Sequence, residues 1–578
     1  MYTILFVSVH IEESPKSVPL GAAMLASNIR RCGDINTKLL DLYLTDSMDD
    51  CIRKIHEANA DFIGFSLYVW NRPFVFNIIE NLKNDKDYTI ILGGSEATAD
   101  FDNFNNDPLI DYVIKGEGEE KIVSLLDKLT EQNSPEKSDC IDLNSLPSPY
   151  LDGTLNLKDY KGALWELSRG CPFKCDFCFE SRGEHGIRRF PIDRIIEELK
   201  LFNENNVSEI FVLDPTFNYN RKEAKELLKL FIEYAPDIHY SIEIRAEFID
   251  EELAYLFSQI NCSLQIGLQS CDQNVLKNIN RTIDIEVFTD NILLLHEHGV
   301  VYGFDLIYGL PHDTLKGFLT SIDYALSLVP NHLDIFPLSV LPGTKLFETA
   351  DGFGLTFEKE NPYRVIESKE FSRDDLKEAD YIAKACDIFY SQGKAVPWFS
   401  IIVNSLDINP SQFFKEFSNY LIEKEQSLED IKGDSIVNIQ RDFLEDVFVK
   451  KGKIKEGIIA SDIAAYFGYT AFLMEEENVK EGDNEFFLNP DSFFVTFNHN
   501  PYEILNLINE GIIDLYDLSD ILNEDLQNYI FYVADNEIIE KELSDEKDNY
   551  LKNFKGSFDK DNPFFIQCLE ENIIWREK

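Results

Sequence analysis

The chain is 578 residues long, more than one hydrophobic core can serve, so two to four domains are expected. A formal charge of −50 repels phosphate backbones and argues against nucleic acid as a partner. Ten cysteines are too few for a disulfide framework and no apolar run has transmembrane length, so a reducing cytoplasm without membrane attachment is expected.

The opening Met1–Val7 reads as a buried strand and lacks the basic flank and cleavage site of a signal peptide. Short apolar runs then alternate with helical stretches. Strands are predicted at Thr3–Ser8, Thr37–Leu42, Phe62–Leu67, Thr89–Leu92 and Tyr112–Ile114. Helices are predicted at Leu20–Cys32, Met48–Asn59, Pro73–Lys83 and Glu119–Leu129. This alternation means an α/β domain over residues 1–135, a doubly wound parallel sheet whose ligand sits at the carboxyl ends of its strands. At those ends stand Gly93-Gly94-Ser95 and Gly116-Glu117-Gly118-Glu119, where missing side chains let a bulky ligand reach the backbone. Neither G-x-G-x-x-G nor a Walker A stretch is present. The loop Tyr68-Val69-Trp70-Asn71-Arg72 after the third strand either packs on itself or faces that ligand.

Residues 136–160, in a stretch rich in Pro, Ser, Asn and Asp from 131 onward, read as a linker. The alternation resumes over residues 161–350, with strands at Ala163–Ser168, Glu209–Leu213, Tyr240–Ile244, Leu264–Leu268, Tyr302–Ile307 and His332–Phe336. Six such units make a partial (β/α)6 barrel with its chemistry at the strands' carboxyl ends. The first strand runs into Ser168-Arg169-Gly170-Cys171-Pro172-Phe173-Lys174-Cys175-Asp176-Phe177-Cys178, a C-x3-C-x2-C spacing. Three thiolates this close suit three irons of a cubane cluster and leave the fourth for a small chelator. A zinc knot usually shows four ligands in two pairs, and no second pair follows.

The other strand ends carry Asp214-Pro215-Thr216-Phe217-Asn218, Glu243-Ile244-Arg245, Gln269-Ser270, Gly309-Leu310-Pro311 and Leu341-Pro342-Gly343-Thr344. Glu243 and Arg245, two apart on a strand, share a face, either as ligand contacts or as an ion pair closing the barrel. Cys262 and Cys271 read as a core residue and a helix-start residue.

The cysteine spacing with its Ser-Arg-Gly lead, together with Pro19-Leu20-Gly21, Ile91–Glu96, Tyr112–Glu119, Asp214-x-x-Phe217 and Pro342-Gly343-Thr344, resembles the cobalamin (B12)-binding-domain-containing radical SAM enzyme family over residues 2–350. The resemblance implies a flavodoxin-like cobalamin-binding domain followed by the barrel. It implies a [4Fe–4S] cluster on Cys171, Cys175 and Cys178. S-adenosylmethionine (SAM) would meet Asp214, Glu243, Arg245, Gln269, Ser270 and Pro311. Cobalamin would meet Tyr68, Trp70, Arg72, Gly93, Gly94, Ser95, Glu117 and Gly118. The implied activity is reductive cleavage of SAM, with methylation of an unactivated carbon in a small-molecule or natural-product substrate, fed by a flavodoxin- or ferredoxin-type electron donor. Rearrangement, cyclisation and a non-catalytic cobalamin or SAM sensor are the other readings. A methylthiotransferase would need three more N-terminal cysteines together, and Cys32, Cys51 and Cys140 are scattered. The D-x-H-x-x-G motif that sets a histidine under cobalt is absent. His10 lacks those neighbours, so cobalamin without a histidine ligand is expected.

Residues 351–578 read as an α-rich accessory region that covers the barrel mouth or shapes the substrate cavity, with Asp374–Gln392 the clearest helix. Glu475-Glu476-Glu477 and Asp545-Glu546-Lys547-Asp548 read as solvated surface. Ser461–Gly468 faintly suggests a helix-turn-helix, which the acidic context argues against.

Overall fold

The computed structural model describes residues 2–32, 35–130, 141–180, 186–428, 431–473, 486–489, 492–534, 537–554, 563–571 and 573–576. Gln132–Pro135, Cys140 and Glu475–Glu477 lie outside them. The chain forms two compact units, Met1–Ser321 with Phe336–Leu376, and Ile322–Ile335 with Lys377–Lys578.

The first unit holds the first expected sheet and the second up to its last strand, His332–Pro337, whose first four residues fall in the other unit. Strands β1 (Thr3–His10), β2 (Asn36–Tyr43), β3 (Phe62–Ser66), β4 (Thr89–Gly93) and β5 (Tyr112–Val113) pair in the order β2-β1-β3-β4-β5, all parallel. Period two fills both faces: Leu5, Val7 and Val9 enter one core, Ile4 and Phe6 the other. The second sheet contains β6 (Ala163–Trp165), and the cysteine loop follows the short β7 (Ser168–Arg169), which pairs antiparallel with β8 (Arg188–Arg189). The sheet then takes β9 (Glu209–Val212), β10 (His239–Ile244), β11 (Cys262–Gln269), β12 (Val301–Tyr308) and β13 (His332–Pro337), in the order β13-β12-β11-β10-β9-β6. Along β11, Cys262, Leu264, Ile266 and Leu268 are all buried while Ser263, Gln265 and Gly267 between them are not, again with period two.

The second unit is built of phenylalanine-rich helices, Phe399–Leu406, Pro410–Glu423, Ser435–Lys450 and Ile454–Leu473. Phe389 lies at their centre, with ring centroids of Phe413 and Phe417 at 4.9 and 5.0 Å. Ser461–Gly468 falls inside one uninterrupted 20-residue helix, so this stretch is not a helix-turn-helix. Strands that the periodicity did not single out accompany the helices: Ser492–Phe497, Gln527–Ala534 and Glu537–Leu543 form an antiparallel sheet. The run Asp545–Asp548 opens a helix, but Lys547 and Asp548 are buried, because Lys547 Nζ pairs with Glu571 at 3.0 Å. No helix among the described residues is long and apolar enough to cross a membrane.

Candidate functional site

The carboxyl ends of both parallel sheets meet on one cavity of about 720 Å³. Gly93, Gly94, Ser95, Glu117 and Gly118 line it from the first sheet; Ser168, Arg169, Gly170, Pro215 and Glu243 line it from the barrel. A second space of about 610 Å³ shares Gly21, Ser66, Tyr68, Glu166, Arg169 and Leu213 with the first.

The two adjacent glycines are glycines for different reasons. A Cβ on Gly94, at φ +105°, would fall 2.5 Å from the Leu67 carbonyl oxygen, so the chain itself requires this residue. A Cβ on Gly93 would meet nothing within 4 Å; its absence leaves room on the cavity side.

Tyr68 lines both spaces and Trp70 the second, with their rings stacked at 4.5 Å and 3°. Buried Asn71 fixes this loop: its Oδ1 accepts from the Tyr68 N–H, and its Nδ2 donates to the Ser66 and Val9 carbonyls. Arg72 departs from expectation. Its guanidinium is held by Glu96 at 2.7 Å, Asp100 at 3.3 Å and the Tyr363 hydroxyl, and it lines neither space. It ties the loop to the chain beyond the barrel.

Glu117 is also engaged. Burial pushes its carboxyl up, but Arg188 and Arg169 outweigh this and hold it below the usual carboxylate range. Arg169, one residue before Gly170 of the cysteine loop, also bonds Glu119 at 2.6 Å and Glu166 at 2.9 Å. Through this network the glycine rim and the start of the cysteine loop share charges.

His10 lines the second space, and it does have an orienting neighbour. Its Nε2 lies 2.6 Å from Asp41, whose other oxygen accepts the Tyr160 hydroxyl at 3.0 Å. Asp41 and the ring contact with Tyr43 both belong to β2. They draw the imidazole toward β2, on the opposite side of β1 from the glycines of β4 and beyond.

In the barrel, Asp214 is buried with both oxygens in use. Oδ1 accepts the Leu167 and Ser168 N–H groups at 2.9 and 3.0 Å, and Oδ2 accepts the Ser168 hydroxyl at 2.5 Å. Burial raises its carboxyl above the ordinary range. It therefore anchors the strand that leads into the cysteines. Glu243 and Arg245 do not pair. Glu243 is open to the cavity, and burial within its mouth, with Asp305 and Glu180 nearby, pushes it up to about 7. Arg245 lies past the end of β10, bonds Glu247 at 2.6 Å and the Thr282 carbonyl at 3.2 Å, and stacks over the Phe173 ring of the cysteine loop at 3.9 Å. Asn218, to which the local pattern assigned no role, grips the Arg245 backbone through both its amide atoms.

Gln269 takes φ +68° where the β11–β12 register shifts. Ser270 is buried and its hydroxyl accepts the Asp272 N–H, while the Pro311 carbonyl accepts Asn278 Nδ2. Cys262 is core, its thiol pushed up to about 12 by burial, and Cys271 Sγ lies 3.5 Å from the Ser321 hydroxyl.

These residues fit the three expected groups. Arg245 Nε and Gln269 Oε1 are buried without a hydrogen-bond partner, as groups awaiting a charged ligand would be. The unfilled surface at Gly93 suits a macrocycle. Cys175 is buried and Cys171 and Cys178 are half-buried on a loop that folds back through the Cys178 N–H to Cys175 carbonyl bond. No three His, Cys, Asp or Glu side chains among the described residues are grouped to hold a single ion, as a zinc knot requires.

A glycine-rimmed parallel sheet facing a partial barrel with a C-x3-C-x2-C loop defines a class that pairs a corrin with an iron–sulfur cluster. Family models agree: the Radical SAM superfamily matches residues 165–325, the B12 binding domain residues 14–126, and a protein family of unknown function (DUF4080) residues 351–467. The uncharacterized methyltransferase PH0819 of Pyrococcus horikoshii is 26% identical over 57% of this chain and 78% of its own length. The cobalamin-dependent radical SAM methyltransferase TokK of Streptomyces tokunonensis is 24% identical over 56% of this chain and 53% of its own. Among solved structures, the cobalamin-dependent S-adenosylmethionine radical enzyme OxsB with aqua-cobalamin bound superimposes with TM-score 0.55 at 14% identity, over 90% of this chain and 83% of that one. The chain thus carries a B12 binding domain and a Radical SAM domain, which imply a [4Fe–4S] cluster, SAM and cobalamin as its cofactors.

Proposed function

We propose that this chain is a cobalamin-dependent radical SAM methyltransferase acting on a carbon of a small-molecule substrate. The observation that carries the reading is the shared cavity, where the glycine rim and the cysteine-loop end of the barrel face the same space. The names of PH0819 and TokK support methyl transfer. The domains read as 1–135 for cobalamin, 136–160 as linker, 161–350 as the barrel and 351–578 as accessory.

Cys171, Cys175 and Cys178 hold the cluster and leave one iron for SAM. Arg245 faces the SAM carboxylate, to which its unpartnered Nε donates, and Gln269 Oε1, an acceptor, meets the ribose hydroxyls. Glu243, open to the cavity, meets the SAM hydroxyls or ammonium. Asp214 acts at one remove, by holding Leu167 and Ser168, and Ser270 and Pro311 shape the wall. Gly93, Gly94, Ser95 and Gly118 leave space for cobalamin, Glu117 closes that rim, and the Tyr68–Trp70 stack offers it an aromatic face. Phe6, Leu25, Ile91 and Ile114 keep the interior dry. Bound, the cofactors supply one-electron cleavage of SAM and a transferable methyl group. A flavodoxin- or ferredoxin-type donor in the cytoplasm supplies the electron.

The test is anaerobic reconstitution with iron, sulfide and cobalamin, then incubation with SAM and dithionite. Release of 5′-deoxyadenosine is expected. Its complete absence from protein that holds all three groups would leave a binding protein.

A further inference from the structure

Three consecutive residues after the helix Gln273–Asn278 grip three consecutive residues of the cysteine loop. The Ile279 carbonyl accepts the Asp176 N–H at 2.9 Å. Asn280, at φ +53°, donates its Nδ2 to the Lys174 carbonyl at 2.6 Å. Between them, Arg281 points Nη1 at Cys175 Sγ, 4.0 Å away. From the other side, the Asp176 carbonyl accepts the Leu346 N–H at 2.8 Å, so the loop is held at both edges.

Arg281 is 8% exposed and, among the described residues, the only other hydrogen bond of its guanidinium is from Nη2 to the Gly267 carbonyl, with Nε unpartnered. Among the described residues it forms no ion pair with a carboxylate; Glu247 favours its charge from farther off, while a second cation, Arg245, acts against it. A buried cation in such surroundings calls for an anion. The sulfur of Cys175 is the anionic site its fork reaches.

We infer that Arg281 is a positioning residue that sets the reduction potential of the cluster through Cys175. This rests on Cys175 being a cluster ligand, as in the proposed function. Reduction adds one electron and no proton. A fixed positive charge and an N–H donor beside a ligand sulfur favour the more negative, reduced form and so raise the potential.

The test compares wild type with Arg281→Gln and Arg281→Lys, each reconstituted anaerobically as the full chain, without SAM. The midpoint is read by electron paramagnetic resonance during titration with dithionite, and iron and sulfide are counted in each sample. Arg281→Gln is expected to keep its iron and to shift the midpoint negative. Arg281→Lys keeps the charge but cannot hold both Gly267 and Cys175, so its midpoint falls by less. A fully loaded Gln variant with the wild-type midpoint overturns the inference. Should that variant fail to fold, a wild-type midpoint in Arg281→Lys overturns it instead. A wild type that takes up no cluster sinks the proposed function, and is told apart because no variant is then needed to see it.

Discussion

The first sheet ends its strands in residues without side chains, whereas the barrel ends its strands in side chains that are already engaged. At Gly93 an added Cβ would meet nothing within 4 Å, while at Asp214 three hydrogen bonds occupy both carboxylate oxygens. In the proposed function the contrast follows the size and charge of what each edge would hold. A macrocycle is accommodated chiefly by space, and its polar rim is met by a few fixed groups. A small zwitterion and a cluster depend on donors placed beforehand, so the barrel invests its polar side chains in fixing the loop first. Only Arg245 Nε and Gln269 Oε1, among the expected SAM contacts, are left buried and unpartnered.

Four sets of changes would break or sharpen this contrast. The largest effect is expected from replacing Cys171, Cys175 and Cys178 together by Ala, which abolishes iron uptake and the visible absorbance on reconstitution. Retained iron at full occupancy would move the cluster elsewhere. Cys262→Ala leaves it intact.

Next come the two glycines. Gly93→Leu fills open space, so the variant should fold normally and lose cobalamin, read by its absorbance after gel filtration. Gly94→Ala should lose more than about 1 kcal/mol of stability, because the new Cβ meets the Leu67 carbonyl at a backbone angle alanine disfavours. Equal cobalamin binding by both variants and wild type would remove the corrin from this rim.

Smaller again is the pair in the barrel. Arg245→Ala should weaken SAM binding by about 1.5–3 kcal/mol, the loss of a charged hydrogen bond. Asp214→Ala should act on cluster loading, with SAM affinity per loaded cluster near wild type, since its oxygens serve Leu167 and Ser168. A direct loss of SAM affinity in a fully loaded Asp214 variant would return that residue to the binding set.

The least change is expected at His10. Asp41 holds its ring toward β2, so the cob(II)alamin resonance should show no nitrogen splitting from protein, and His10→Ala should leave it unaltered. Splitting that vanishes in the variant would establish histidine ligation.

Features of short range were legible in the sequence. The C-x3-C-x2-C spacing lies within eight residues of one loop, and Gly93-Gly94 ends a strand whose continuous buried apolar run, Ile90 to Leu92, is visible in its letters. Both sheets follow from alternating strand and helix patterns, because apolar periodicity reflects burial on either face. The network around the cavity was not legible. Asp214 meets Ser168 across 46 positions, Asp41 meets Tyr160 across 119, and Arg281 reaches Cys175 across 106. Nothing in the local pattern of any of these residues says whether a carboxylate will meet a ligand or a neighbouring backbone. Arg72 illustrates the limit: it stands in the right loop, yet Glu96, Asp100 and Tyr363 claim it. The sequence by itself determined the fold class and marked out the cysteine loop, since both are written in local spacing. Which polar groups remain free was decided only by the tertiary structure, because a side chain's hydrogen-bonding capacity is used up by whichever distant partners packing brings within reach.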